Sequence, residues 1–132
     1  MSTTHLSRPI ALRIVLTMLA ALIGNTIIAF ATSALDDTST TVGLDLGEYL
    51  PATAVGFLIG ALGWTMLARF APRTLRVVVP VVLVLSWIPD LLLLNDGASI
   101  VNVVGLMLMH LVVTAAVVAA FRRTIMTTAP AR

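Results

Sequence analysis

The sequence predicts an all-α fold, a transmembrane four-helix bundle that runs up-down-up-down with both termini cytoplasmic. Of its 132 residues, 59% are hydrophobic and 11% are charged, which leaves too few charged side chains to cover a water-facing surface. The apolar residues also form four continuous runs, each close to the ~20 residues that cross a ~30 Å hydrocarbon core. The alternating segments of ~10 residues that membrane-spanning strands require are absent from the sequence.

Local sequence sets the ends of each predicted helix within one integral membrane domain, residues 1–132. Pro51 fits the first turn of the second helix, where its missing N–H costs nothing. "APR" at 71–73 ends that helix, and "NDG" at 95–97 forms a tight turn before the last one. The predicted helices cover residues 10–31, 50–70, 77–94 and 98–121, with a long polar outward loop at 32–49.

Two of these helices have alternative interpretations. "AFA" at 29–31 follows an apolar stretch and resembles the cleavage site of a secretory signal, and cleavage there would leave three spans. Pro89 removes a backbone donor beside Asp90, which predicts that the third helix kinks or unwinds at that point.

Charge sets the predicted orientation. The six acidic residues lie at or near one set of helix ends: Asp36, Asp37, Asp45, Glu48, Asp90 and Asp96. The eight basic residues other than histidine are all arginines and lie at the opposite ends: Arg8, Arg13, Arg69, Arg73, Arg76, Arg122, Arg123 and Arg132. Because arginines are enriched in cytoplasmic loops, we expect both termini inside, in the cytoplasmic (inner) membrane. The lack of lysine indicates a GC-rich genome.

The composition argues against several kinds of chemistry. There is no cysteine, which excludes disulfides and cysteine-ligated metal clusters. The acids of the 32–49 loop match no calcium-loop spacing, so we expect them to be solvated. His5 lies in the N-terminal tail, which leaves His110 without the intramembrane partner that a bis-histidine haem needs, and only Met107 shares its helix face as a copper ligand. We therefore expect no metal and no cofactor, and no surface remains for nucleic acid.

Small and aromatic residues suggest how the second helix is held. Gly56, Gly60 and Gly63 form a glycine ridge, and "GFLIG" at 56–60 is a GxxxG pattern that permits close helix approach. Packing within the bundle is the favoured interpretation, and a homo-oligomer interface is the alternative. We expect Tyr49 and Trp64 to anchor the helix at the two membrane interfaces.

Polar side chains inside the predicted spans are the candidate ligand-binding residues: Asn25, Ser86, Asp90, Asn102 and His110. At 1.5 Å per residue, His110 is roughly 18 Å from the outer end of its helix, near the midplane. Polar groups are expensive there, so they normally face the bundle interior or a wet cavity. Interhelical hydrogen bonding explains each residue singly. Their related depths on three helices predict an outward-opening pocket, with Asp90 and His110 as the simplest proton-handling pair.

Two segments carry a resemblance to a known group of proteins. "GFLIGALGWTMLARFAPRTLRVVVPVVLVLS" at 56–86 resembles the central part of small uncharacterised four-helix membrane proteins of high-GC bacteria, which have Gly-Trp in the second helix followed by an arginine-rich turn. "LMHLVVTAAVV" at 108–118 is similar to their last helix, including His110. The resemblance implies the same four-span topology and no particular activity.

We therefore expect a small integral membrane protein, surrounded by the lipid bilayer, whose pocket binds a small molecule, a lipid or a proton-coupled solute. The first alternative is a non-catalytic subunit that uses the glycine ridge to hold a membrane partner or a second copy of itself. The second is an enzyme acting on an isoprenoid or lipid, with Asp90 and His110 as acid and base. An enzyme is less expected, because the sequence has no nucleophilic triad or phosphate loop.

Overall fold

The computed structural model of the protein describes residues 8–38 and 41–122. Within these residues the elements are α1 (Arg8–Leu35), α2 (Leu46–Phe70), a 3₁₀ turn (Pro72–Thr74), α3 (Leu75–Leu92) and α4 (Ile100–Phe121). All four α-helices are long and apolar enough to cross a membrane. The predicted all-α transmembrane bundle is therefore confirmed. His5, Arg123 and Arg132 lie outside the described residues.

The first connection is shorter than predicted, covering residues 36–45 rather than 32–49. The structure starts α2 at Leu46 because local hydrogen bonds close its first turn: the backbone N–H groups of Glu48 and Tyr49 donate to the carbonyl of Asp45, at 2.9 and 3.0 Å. Pro51 therefore lies in the second turn of α2, not in the first as expected.

The third helix continues past its second proline. The structure keeps α3 helical through Pro89 to Leu92, so the predicted unwinding at this position does not occur. A run of turns follows and ends at Gly97, whose φ of 89° lies in the left-handed region that favours glycine. Helix α4 then begins after Ser99, whose side chain accepts the backbone N–H of Asn102 at 3.0 Å as an N-cap.

Helix α4 is the centre of the bundle. It packs against α1, α2 and α3, whereas α1 and α3 share no contact within the described residues. Accordingly 28% of an 18-residue apolar stretch of α4 is buried, against 6% of the corresponding stretch of α3. The neighbours have the directions that an up-down-up-down order requires. Gly24 and Gly105 show α1 antiparallel to α4, because they face Val112 and Thr32 respectively.

Two residues of the predicted glycine ridge face α4 inside the same chain. A Cβ added at Gly60 would lie 3.0 Å from Val117 Cγ2, and one at Gly56 would lie 3.8 Å from Val113 Cγ1. Gly60 and Val117 each lie four residues after Gly56 and Val113, so α2 runs parallel to α4. A Cβ at Gly63 would have no neighbour within 4 Å.

The buried apolar residues form two clusters, one towards each end of the bundle. We call the end that holds Arg13, Arg69, Arg73, Arg76 and Arg122 the arginine end, and the end that holds Asp36, Asp37, Asp45, Glu48 and Asp96 the acidic end. The cluster nearer the arginine end consists of Phe57, Trp64, Leu75, Val117, Ala120 and Phe121. The cluster nearer the acidic end consists of Ala29, Leu44, Tyr49 and Met109.

Tyr49 and Trp64, the expected anchors at the two membrane interfaces, are both buried within the bundle. Tyr49 is 5% exposed and Trp64 is 8% exposed. The Trp64 ring stacks on Phe121 of α4, with 6.4 Å between centroids, and the Tyr49 hydroxyl donates to Thr26 Oγ1 of α1 at 3.1 Å. Both aromatic rings lie near the ends of α2, as expected, but they face neighbouring helices.

Candidate functional site: an intramembrane acid–base pair

Helices α3 and α4 bring Asp90 and His110 together. His110 Nδ1 lies 3.0 Å from Asp90 Oδ2, and the two side chains are 40% and 9% exposed. Side chains on a helix lean towards its N-terminus, and α3 and α4 run in opposite directions. Asp90 therefore leans towards the arginine end and His110 towards the acidic end. This lean brings together two residues whose backbone positions differ in depth.

The two acceptors beside His110 Nδ1 fix one tautomer of the imidazole. His110 Nδ1 also lies 3.0 Å from the backbone carbonyl oxygen of Leu106, one turn earlier in α4. Both neighbours of Nδ1 are acceptors, so Nδ1 carries the hydrogen. The N–H is aligned on the Leu106 carbonyl, and Asp90 Oδ2 is buried without an aligned hydrogen bond. Nε2 has no hydrogen-bond partner among residues 8–38 and 41–122 and remains free to accept a proton.

A second contact holds the same two helices in register. Trp87 lies three residues before Asp90, and its Nε1 donates to the carbonyl oxygen of Met107 at 3.1 Å. Ser86 lies one turn before Asp90, but its hydroxyl donates to the carbonyl of Leu83 in its own helix at 2.7 Å. Ser86 is therefore near Asp90 in sequence, but its hydroxyl donates to its own helix and not to Asp90 or His110.

The two asparagines take part in separate contacts. Asn25 Nδ2 donates to Thr53 Oγ1 at 2.7 Å, which links α1 to α2. Asn102 is fully buried; its Oδ1 accepts the N–H of Val42 at 2.9 Å and its Nδ2 donates to the Val42 carbonyl at 3.0 Å. Of the five predicted site residues, the structure thus brings together Asp90 and His110. Asn25 and Asn102 hold the α1–α2 contact and the 36–45 connection.

A hydrogen-bond chain continues from Asn102 at the acidic end. Ser99 Oγ accepts the backbone N–H of Asn102 and donates to Asp36 Oδ2 at 2.5 Å. Asp36 Oδ1 accepts from the hydroxyl and backbone N–H of Thr38, at 2.6 and 3.0 Å. The hydrogen bond from Ser99, followed by those from Thr38, holds the pKa of the Asp36 carboxyl below its ordinary value. The 36–45 connection is thereby tied to the start of α4.

Sequence reasoning missed two of these partners. Thr53 carries a hydroxyl and Asn25 carries an amide, both inside predicted spans, and matching the two depths could have paired them. Val42 contributes only backbone atoms, and no residue pattern marks such a contact. No group of three or more His, Asp or Glu side chains suited to a metal ion occurs in the part of the chain that the structure describes.

The four spans define a multi-pass membrane protein, and its last two helices bring a buried carboxylate and a partly exposed imidazole together. A family model described as a family of unknown function, DUF6069, matches residues 5–127, and the chain belongs to that family. This agrees with the resemblance of its sequence to an uncharacterised family. No curated protein matches the chain, and no solved structure matches it.

Proposed function

We propose that this protein binds a small polar ligand, with a proton, at the Asp90–His110 pair inside its transmembrane bundle. The observation that carries the proposal is the 3.0 Å distance between His110 Nδ1 and Asp90 Oδ2, with the carboxylate buried and the imidazole partly exposed. Ionisable residues inside membrane spans are costly, and they mark proton relays, ion pathways and ligand sites.

The chemistry of the pair follows from its charge. Ionised Asp90 beside neutral His110 leaves a net negative charge in a medium of low dielectric constant, whereas one added proton makes the pair neutral overall. Nε2 is the atom that takes up this proton, because Nδ1 already donates to Leu106. Protonated Nε2 then becomes a donor on the exposed side of the ring. A small ligand with a neutral hydrogen-bond acceptor, such as a carbonyl oxygen, would bind there while Asp90 balances the imidazolium charge.

Native mass spectrometry of the protein released from nanodiscs tests the ligand. The expected result is a discrete small mass bound in a fixed ratio, lost in Asp90→Asn and in His110→Gln. Ser86→Ala is the matched control, because the Ser86 hydroxyl is bonded to its own helix, and this variant should keep the bound mass. A ligand-free mass in the unmodified protein, or loss of the ligand from Ser86→Ala as well, would contradict the proposal.

Nuclear magnetic resonance of ¹⁵N-histidine tests the proton. In a His5→Gln background the only histidine signals belong to His110. We expect both ring nitrogens to carry hydrogen in the ligand-bound protein, and Nδ1 alone to carry it in Asp90→Asn. A ring with hydrogen on one nitrogen only in the ligand-bound protein would refute proton binding at His110.

We further propose that the protein resides in the cytoplasmic membrane of a bacterium with a GC-rich genome, with its arginine end inside. The separation of arginines from acids along the helix ends supports this orientation. Because the chain has no cysteine, single substitutions report the two sides cleanly. A membrane-impermeant thiol reagent added to whole cells should label Thr38→Cys and spare Thr74→Cys. The reverse labelling would invert the proposed orientation.

A further inference from the structure

We propose that a groove at the arginine end binds the phosphate headgroup of an anionic phospholipid. The groove has a volume of about 890 Å³, and the polar residues that line it include Arg73, Arg76, Arg122 and Trp64. It is separate from the Asp90–His110 pair, so the inference does not depend on the function proposed there.

The arginines of the groove have no carboxylate counter-ion among the side chains of this protein. The sequence contains six acidic residues, of which five lie at the acidic end and Asp90 lies beside His110. Two other arginines at the same end are engaged elsewhere. Arg13 Nε donates to the carbonyl of Ala120 at 3.1 Å, and the Arg69 guanidinium lies 5.7 Å from the Phe70 ring centroid. No acidic side chain of this protein therefore balances the charge of the three groove arginines.

The Trp64 indole and the N-terminus of α3 point to the same kind of ligand, because each lacks a negatively charged or acceptor partner. Trp64 is nine-tenths buried, and its indole Nε1 has no acceptor among the described residues, although buried N–H groups are almost always paired. Helix α3 begins at the groove with no side-chain cap from Thr74 and no acid in its first turn. The N-terminus of a helix carries a partial positive charge that favours phosphate. An oxyanion in the groove would supply the missing negative charge and acceptors.

The apolar part of the lining selects a phospholipid over free phosphate. Val79, Pro80 and Val118 line the same groove as the arginines. At 1.5 Å per residue, Val79 and Val118 are each about 6 Å further into the membrane than Leu75 and Arg122, one turn away on the same helices. The groove has arginines at headgroup depth and apolar side chains deeper in the membrane. This arrangement matches a phosphate with acyl chains attached, whereas a free phosphate ion would make no contact with the apolar side chains.

Quenching of Trp64 by brominated lipids tests the proposal at the groove itself. The protein has two tryptophans, so Trp87→Phe leaves Trp64 as the sole reporter. This variant is placed in bilayers that contain equal fractions of a neutral and an anionic phospholipid, with bromine on the chains of one or the other. We expect the brominated anionic lipid to quench Trp64 more strongly. Arg73→Gln and Arg122→Gln should each lower the relative affinity for it roughly five-fold.

Matched variants separate the groove from general surface charge. Arg69→Gln removes an arginine from the same end of the bundle without touching the groove, and it should keep the preference for anionic lipid. Arg76→Gln gives a second groove variant, and far-UV circular dichroism checks that each protein keeps its helices. Equal quenching by both lipids, or an equal loss of preference in Arg69→Gln, would overturn the proposal. Relief of the quenching by inorganic phosphate alone would assign the groove to a soluble anion and would overturn it too.

Discussion

Replacing Gly105 with alanine would put a methyl group against Thr32 at the contact between α1 and α4. A Cβ built on Gly105 lies 2.8 Å from Thr32 Cγ2 and 3.1 Å from Thr32 Cβ, and closer still to Thr32 Oγ1. Ordinary van der Waals contact begins at 3.4 Å, so the Cγ2 contact alone requires the helices to separate by 3.4 − 2.8 = 0.6 Å. A change of rotamer does not move Thr32 Cβ, which itself lies 3.1 Å from the added methyl group, so turning the side chain cannot relieve the whole contact.

This separation sets the expected cost. Inserting a methyl group into a packed contact costs about 1–3 kcal/mol, and a gap of roughly 0.5–1 Å forfeits a quarter to a half of a contact's dispersion energy. Lipid supplies no hydrophobic force that would push α1 back onto α4. We therefore expect Gly105→Ala to lower the free energy of unfolding by about 1–3 kcal/mol.

Reversible unfolding in mixed detergent micelles, followed by far-UV circular dichroism, measures this loss. Gly63→Ala is the matched control, because its Cβ has no neighbour within 4 Å and alanine favours a helix over glycine by about 0.5–1 kcal/mol. Thr32→Ala removes Cγ2 and Oγ1, so the double variant with Gly105→Ala should recover most of the loss. Full stability in Gly105→Ala, or strictly additive effects in the double variant, would refute this account of the crossing.

Three further predictions concern the polar contacts. His110→Ala should cost about 1–3 kcal/mol because it leaves Asp90 buried and unpartnered, and combining it with Asp90→Asn should cost less than His110→Ala alone. Asn102→Ala should cost about 1–3 kcal/mol and should speed hydrogen exchange of the Val42 amide, whose acceptor it removes. The lowered pKa of Asp36 means that its carboxylate stabilises the fold fully above the ordinary value of 3.8. This contribution is lost as the pH falls through the lowered value, so unfolding measured against pH should show an acid-side loss that Asp36→Asn lacks.

Each of these has an outcome that contradicts it. If the double variant at Asp90 and His110 is less stable than His110→Ala, the charge of Asp90 is not the source of the cost. Unchanged Val42 exchange in Asn102→Ala would mean that other contacts hold the 36–45 connection. If Asp36→Asn keeps the acid-side loss, another carboxyl is responsible for it.

The number and length of the helices were predictable because continuous apolar runs reflect the thickness of the membrane. The ends of the helices were less predictable. Helix α2 starts at Leu46 because of backbone hydrogen bonds to Asp45, and a run of apolar residues does not indicate such bonds. The positions of Tyr49 and Trp64 in the sequence indicated their depth in the membrane, but not that each ring packs against a neighbouring helix.

The candidate site was predictable in part for a similar reason. Sequence identifies Asp90, His110, Asn25 and Asn102 as polar groups in costly surroundings, but it does not say which of them meet. Asp90 and His110 meet because antiparallel helices lean their side chains towards each other. Asn102 instead pairs with backbone atoms of Val42, and a backbone partner leaves no trace in the sequence.

The central position of α4 also determines when the bundle can form. The other three helices enter the membrane first, yet the contact between Arg13 and Ala120 joins residues 107 positions apart. Leu35 ends α1 and Phe121 ends α4, 121 − 35 = 86 residues later. At roughly 5–20 residues per second, ribosomal synthesis of that interval takes about 4–17 s. During that time α1 waits in the bilayer without its main partner, and a ribosome that stalls before α4 leaves three inserted helices with no common core.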